Sequence, residues 1–268
     1  PLEVRDVHEK LRELVEKPFL KAYLSGKTPN PCIICNPALK FAELSRYADE
    51  LGADKIATGH YARSENGMLF KGRPANDQSY MLCRITREQL GRLVLPLGAY
   101  EKSEVRALAE SFGIPVAHKP DSMEICFIPD KDYLGWIAQR AALPPEGDFL
   151  FHGEVLGKHE GICRYTVGQR RGLGVSAPEP LYVAEIDQKK NLVVLGKDKD
   201  LFCTGLLCND MVWPAGYNPN CKFEAMVKIR LASKPVQRSI GRVKDGALQW
   251  YYENGAHVKK MNGYKENC

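Results

Sequence analysis

The chain has 268 residues, of which 44% are hydrophobic and 26% charged, with a formal net charge of +5 at pH 7. This length is enough for two or three domains, and the composition is ordinary for a globular protein. The sequence contains no run of about 18 apolar residues and no signal-peptide pattern, so neither a membrane span nor export is expected. Nine cysteines without an export signal predict reduced thiols in a cytoplasmic protein. The mild positive charge permits an acidic partner such as nucleic acid without requiring one.

The first half of the chain predicts helices that alternate with a short strand. Apolar residues at helical spacing indicate one helix over residues 11–24 and another over residues 41–51. Residues 55–58 then form a short apolar run that ends at Gly59-His60. This alternation is typical of an α/β parallel sheet, in which ligands bind at the carboxyl ends of the strands. His60 is therefore a candidate ligand contact, although a structural role is the commoner one for a lone histidine.

Further along the chain, turn and cap signals predict three more elements. Asn66-Gly67 favours a β-hairpin, and Asp77 is a suitable N-cap for a helical stretch. A helix capped by Ser103 is expected to direct Val105, Leu108, Ala109 and Phe112 inward.

From about Asp148 the pattern changes to short strands and turns. Residues 181–186 and 192–195 predict a hairpin, and residues 221–231 and 236–243 alternate as strands. The second half is therefore predicted to form an all-β barrel. Within it, the basic and glycine-rich segment 164–174 is suited to a loop that approaches phosphates, but a solvated turn is equally consistent.

The segment from Gly26 to Phe41, GKTPNPCIICNPALKF, concentrates prolines, asparagines and cysteines in one turn. Asn36-Pro37 predicts a helix start, because Asn is a preferred N-cap and Pro a preferred first residue. Cys35 would then lie just before a helix N-terminus, where the macrodipole favours a thiolate. By itself the Cys32-x-x-Cys35 pair leaves open a zinc half-site, a redox or nucleophilic pair, and two ordinary small hydrophobic residues. Cys126, in a short strand-like run, is by itself typical of a core residue.

Five segments together resemble one enzyme family, the tRNA-specific 2-thiouridylases, which are ATP-dependent enzymes of the PP-loop class. The segments are TPNPCIICNPALKF (28–41), ATGHYAR (57–63), DQSYML (77–82), DSMEICFI (121–128) and YTVGQRRGLG (165–174). The resemblance covers most of the chain. It implies an α/β fold, namely a partial PP-loop or Rossmann-like domain with a parallel sheet (1–134), then a small mostly-β central tRNA-binding domain (135–186) and an incomplete C-terminal β-barrel (187–268).

The resemblance also implies the chemistry. ATP, with Mg²⁺, adenylates the C2 oxygen of the wobble uridine of tRNA, and a persulfide sulfur replaces that oxygen to give 2-thiouridine, AMP and pyrophosphate. No tightly bound metal and no membrane are expected. The partners would be tRNA and a sulfur donor, either a cysteine desulfurase or a sulfur-relay protein.

The family's functional residues map onto single positions of this sequence. Cys35 matches the nucleophile, Cys126 the cysteine that carries the persulfide, and Gly59 a contact to ATP. The remaining matches are contacts to the target base (Asn30, Pro31 and Cys32) and to tRNA (His60, Asn76, Asp77, Gln78, Arg230 and Leu231). Cys32 occupies a position that need not be cysteine in the family, so the CxxC spacing is interpreted as incidental. Asn76 stands where the family usually has Lys.

Two features of the family's pattern are not found in this sequence. One is the glycine-rich ATP loop, which the family places upstream of these motifs, and the other is the set of glycine-rich closing strands of the barrel. The alternative hypothesis is therefore a catalytically incomplete, tRNA-binding fragment of such an enzyme.

Overall fold

The structure is a computed structural model that describes residues 2–119, 125–203, 205–208, 211–213, 223–230, 235–242, 248–251 and 258–259. The chain divides into two compact units. The first comprises Pro1–Lys17, Asn30–Phe127 and Met211–Asn218, and the second comprises Pro18–Pro29, Ile128–Asp210 and Pro219–Cys268. Among the described residues, no helix has the length and apolar character needed to cross a membrane.

Helices are concentrated in the first half of the chain, and most strands lie in the second. The α-helices are α1 (His8–Leu11), α2 (Lys17–Leu24), α3 (Pro31–Cys35), α4 (Phe41–Glu50), α5 (Arg87–Arg92), α6 (Lys102–Ser111) and α7 (Tyr133–Ala138). The strands are β1 (Ile56–Ala57), β2 (Ala62–Glu65), β3 (Met68–Lys71), β4 (Leu93–Val94), β5 (Gly147–Phe151), β6 (Glu154–His159), β7 (Tyr182–Asp187), β8 (Leu192–Gly196), β9 (Phe202–Cys203), β10 (Gly205–Cys208), β11 (Phe223–Val227), β12 (Val236–Arg242), β13 (Leu248–Tyr251) and β14 (Val258–Lys259). Short 3-10 helices span Ser79–Leu82, Ile162–Arg164 and Asp198–Leu201.

In the first unit, strands β1 and β4 form the predicted parallel pair, with Ile56 opposite Leu93. The predicted hairpin is also confirmed: β2 and β3 pair antiparallel around Asn66 and Gly67, which both have positive φ, as a two-residue hairpin turn requires. A buried apolar cluster supports these strands and the start of α4; it consists of Phe41, Ala62, Leu82, Ile85, Leu90, Leu93 and Leu95.

Helix α6 differs from its predicted packing. None of its residues is buried, and Phe112, which follows it, is 76% exposed. The prediction of an inward-facing side chain is therefore wrong for Leu108 and Phe112, which are exposed, whereas Val105 and Ala109 are half-buried. Helical spacing of apolar residues identified the helix, but spacing alone does not say what covers its apolar face.

The second unit is built around a mixed four-stranded sheet in the order β6-β5-β8-β7, in which β5 and β8 run parallel. The predicted hairpin is confirmed as β7 paired antiparallel with β8. The core of the second unit includes residues of this sheet. It consists of Phe149, Ile162, Tyr165, Val167, Leu173, Leu181, Val183, Val193 and Leu195.

Later strands of the second unit form an antiparallel sheet in the order β10-β13-β12-β11 and a separate pair of β9 with β14. The described strands of this region form no closed barrel. The predicted strands over residues 221–231 and 236–243 are present as β11 and β12, whereas the C-terminal barrel itself stays a prediction.

Candidate active site

The candidate site in the first unit begins at helix α3. Asn30 has extended backbone geometry, and its side-chain oxygen accepts a hydrogen bond from the Cys32 backbone N–H at 3.2 Å. Pro31 follows as the first helical residue, where its fixed φ and missing N–H are favourable. Asn30, and not the predicted Asn36, is therefore the N-cap of this helix.

The helix continues through Asn36-Pro37 as a π-helical turn, Asn36–Lys40, and joins α4. A proline inside a helix cannot donate to the preceding turn and clashes with it. A wider π turn accommodates this defect, which explains why Pro37 does not mark a helix start. Cys35 is therefore the last residue of α3 inside a continuous helical run.

This position changes the electrostatics expected of Cys35. Burial raises the pKa of its thiol, and the nearby Lys40 ammonium opposes that rise. The prediction that a helix N-terminus favours the Cys35 thiolate is therefore wrong, because the helix begins earlier, at Pro31. Lys40, which the sequence reasoning missed, supplies the positive charge instead. The signal in the sequence that could have identified this charge is the lysine at the end of the CIICNPALK segment.

Cys126 lies in a turn and is exposed to solvent. The interpretation of this residue as a core cysteine in a strand is therefore wrong. Its charge acts on both helix cysteines: after burial, it is the next cause of the raised pKa of Cys32, and it also raises the pKa of Cys35. The fold thus brings Cys126 into electrostatic range of α3, although the two segments are far apart in the sequence.

Replacing Lys40 by Gln is expected to raise the pKa of Cys35 further, because the ammonium that stabilises the thiolate is removed. Alkylation of Cys35 by iodoacetamide, followed by peptide mass spectrometry across a pH series, should shift to higher pH. Lys40→Arg should keep the original profile. Alkylation of exposed Cys83, whose neighbouring cation is Arg84, is the internal control. An unchanged Cys35 profile in Lys40→Gln would contradict this assignment.

Two asparagines connect α3 to the DQSYML segment. The buried Asn36 donates from Nδ2 to the Met81 carbonyl at 2.8 Å. Asn30 donates from Nδ2 to the Met81 sulfur at 3.4 Å. Met81 was not singled out in the sequence, and it is the point at which two of the five motifs meet.

Gly59 and His60 follow β1, at the carboxyl end of the parallel pair, as predicted. Gly59 is exposed, whereas His60 is half-buried, with its Nδ1 2.9 Å from the Thr58 hydroxyl and its ring 5.7 Å from the Phe41 ring. Burial, with a smaller effect of Lys40, lowers the pKa of His60 to about 4. His60 is therefore neutral at pH 7 and can contribute hydrogen bonds but no charge.

The tripeptide of Asn76, Asp77 and Gln78 uses its side chains inside the first unit. Asp77 accepts hydrogen bonds from the Gly72 and Ser79 backbone N–H groups at 3.1 and 2.9 Å. The N-cap of the 3-10 helix is Gln78 and not the predicted Asp77. Gln78 accepts from the Tyr61 N–H at 3.0 Å, and Asn76 donates to Glu101 at 3.3 Å. These contacts connect the tripeptide to the residue before β2, the residue after β3 and the residue before α6.

Arg230 belongs to the second unit, where its guanidinium donates to the Val167 carbonyl at 2.9 Å. Leu231 lies outside the described residues. Among the described residues, no group of three His, Cys, Asp or Glu side chains is arranged to hold a metal ion.

Comparison with known proteins gives the family. Residues 1–130 match the family model described as the tRNA methyl transferase HUP domain, and residues 139–197 match the tRNA methyl transferase PRC-barrel domain. A HUP domain is Rossmann-like, in agreement with the parallel strand pair and helices of the first unit.

Three relatives illustrate the similarity, and each is named tRNA-specific 2-thiouridylase MnmA. The protein of Syntrophotalea carbinolica is 46% identical over 237 residues, covering 86% of this chain and 67% of the relative. That of Geobacter metallireducens is 45% identical, covering 88% and 66%. That of Rickettsia massiliae is 44% identical, covering 93% and 70%.

These findings define a tRNA-modifying α/β protein with a HUP domain followed by a PRC-barrel domain. The chain belongs to the family of tRNA-specific 2-thiouridylases. It spans about two thirds of the length of the relatives named above.

Proposed function

We propose that this chain performs the sulfur-transfer chemistry of a tRNA-uridine 2-sulfurtransferase. Sulfur from a persulfide replaces the C2 oxygen of the wobble uridine, with ATP converted to AMP and pyrophosphate. Family membership supports the reaction. The observation that supports the assignment to residues is that Cys126 is exposed in the same compact unit as Cys35, and its charge is among the causes that raise the pKa of the Cys35 thiol.

Activation of the base is the first requirement. The C2 carbonyl of uracil is a poor electrophile, and its oxygen is a poor leaving group, so adenylation converts that oxygen into part of AMP. Gly59 is the proposed ATP contact in this chain. Its exposure at the carboxyl end of β1 supports this role, since that end of a parallel sheet is where such folds bind nucleotides. Mg²⁺ would accompany the triphosphate as part of the co-substrate.

Sulfur transfer is assigned to the two cysteines. A sulfur donor, a cysteine desulfurase or a relay protein, loads Cys126, whose exposure leaves it accessible to such a partner. The terminal persulfide sulfur attacks C2 and expels AMP. The Cys35 thiolate then attacks the Cys126 sulfur, which releases 2-thiouridine and leaves a Cys35–Cys126 disulfide for a cellular reductant. That last exchange requires the two Cα atoms to lie within roughly 6 Å of each other.

Recognition of the target base is assigned to the start of α3. Asn30, Pro31 and Cys32 precede Cys35 on the same helix, so a base held there lies beside the nucleophile. The base must leave the anticodon stack to reach a folded pocket. We assign positioning roles to Asp77 and Gln78, because their internal hydrogen bonds hold the segment that adjoins His60.

The reaction is tested with the full-length protein that carries this sequence, given unmodified tRNA, ATP, cysteine and a cysteine desulfurase. Mass spectrometry of digested tRNA should find 2-thiouridine at the wobble position, with AMP formed in equal amount. tRNA binding without either product would support the alternative hypothesis of a binding protein and would contradict the proposed function.

A further inference from the structure

A basic segment outside the cysteine site is the glycine-rich loop, defined here as residues 165–174. Its ends are fixed in the core of the second unit by Val167 and Leu173, which are both buried. Between these anchors lie Arg170 and Arg171, both exposed. The loop thus presents two adjacent guanidinium groups from a rigidly held backbone.

Hydrogen bonds within the second unit fix the shape of this loop. Gly168 donates its N–H to the Val183 carbonyl at 2.7 Å, and Val183 donates back to the Gln169 carbonyl at 2.9 Å. The Gln169 side chain bridges the loop, accepting from the Thr166 N–H and donating to the Arg171 carbonyl, each at 3.0 Å. Arg171 is therefore held through its own backbone.

The positive charge of the loop lies on the exposed side chains of Arg170 and Arg171. In the part of the chain that the structure describes, neither Arg170 nor Arg171 has a carboxylate within ion-pairing distance. Glu179 is the acidic residue that lines the adjoining cavity of about 420 Å³, and it is paired with Lys197. Arg230 adds a third guanidinium at the start of the loop through its bond to the Val167 carbonyl. Arginines grouped beside a concave surface attract phosphates strongly.

We propose that the glycine-rich loop, with Arg170 and Arg171, binds phosphates of the RNA backbone. The inference rests on the proposed function, since it assigns part of the tRNA contact to the second unit. Such contacts position the RNA without reading its sequence. Arg230 acts here as a positioning residue, because its described contact is to the loop backbone.

The test measures tRNA affinity by fluorescence anisotropy at several salt concentrations, using this chain and an unmodified tRNA transcript. Arg170→Ala/Arg171→Ala should weaken binding roughly tenfold and reduce the salt slope, d log K/d log [salt], by about 1.5 to 2 in magnitude. Lys189→Ala/Lys190→Ala is the matched control, since it removes two exposed charges from the β7–β8 turn of the same unit. It should keep both values near wild type.

A conservative variant separates charge from folding. Arg170→Lys/Arg171→Lys should recover most of the affinity, because a phosphate contact needs the positive charge. Equal effects of the two double alanine variants would overturn the proposal, as would lost binding in the lysine variant with an unchanged melting temperature. Persulfide loading of Cys126 needs no tRNA and should be unchanged in the arginine variants. A failure of the cysteine chemistry is thereby distinguished from a failure of this binding site.

Discussion

Cys35→Ser in the full-length protein is expected to abolish 2-thiouridine formation, with a rate loss of roughly a thousandfold or more. A serine hydroxyl cannot take part in thiol–disulfide exchange, so the sulfur would remain bound between Cys126 and the tRNA base. The measurement is the 2-thiouridine content of tRNA from cells that carry only the variant gene. A covalent complex of the variant with tRNA, released by an added thiol, is the expected intermediate.

Cys32→Ser is the matched control for this prediction. Cys32 lies three residues before Cys35 on α3 and shares its electrostatic environment, in which burial and Cys126 both raise the pKa of the thiol. Cys32 is assigned a contact to the base but no step of the sulfur transfer, and serine is close to cysteine in size, so the variant should retain most of its activity. Full loss in Cys32→Ser together with activity in Cys35→Ser would reverse the roles of the two residues.

Cys126→Ser is expected to give an equally large loss, but at an earlier step. Without this thiol no persulfide forms, so no sulfur reaches the base, while ATP-dependent adenylation of the tRNA continues. The expected result is therefore absence of 2-thiouridine together with tRNA-dependent pyrophosphate release. Cys83→Ser changes another exposed cysteine of the first unit and should leave the product level unchanged. Wild-type product in Cys126→Ser would contradict the persulfide role.

Much of the first unit follows from local sequence signals. Asn66-Gly67 specifies a two-residue turn because both residues accept positive φ, and the structure has that hairpin. Residues 55–58 contain strand β1, one strand of the parallel pair, and are followed by Gly59-His60 as predicted. In both cases a short-range rule is sufficient, and later packing does not overrule it.

The start of the cysteine helix shows where local rules fail. Asn30-Pro31 and Asn36-Pro37 carry the same cap signal, and the structure uses the first as the N-cap. Asn36 instead lies buried and donates to the Met81 carbonyl. The choice between the two depends on a tertiary contact with a segment far along the chain, which local propensity does not contain.

The same limit applies to the candidate site. The motifs identified Cys35 and Cys126 through family resemblance, but the environment of each thiol is a property of the folded chain. Burial of Cys35 and the charge of Lys40 compete in setting its pKa, and neither follows from the spacing of the cysteines. The use of Asp77 likewise required coordinates. The sequence predicted an N-cap, whereas in the structure Gln78 is the N-cap and Asp77 accepts hydrogen bonds from the Gly72 and Ser79 N–H groups.

The central claim is that Cys126 receives the sulfur and transfers it to C2 of the uridine, and that Cys35 then releases the thiolated base. Its most direct test is the intact mass of this chain after incubation with cysteine and a cysteine desulfurase, followed by peptide mapping. We expect a gain of one sulfur, about 32 Da, located on Cys126, removed by a reductant and absent from Cys126→Ser. A sulfur that maps to Cys35 or Cys32, or that persists in Cys126→Ser, would contradict the account.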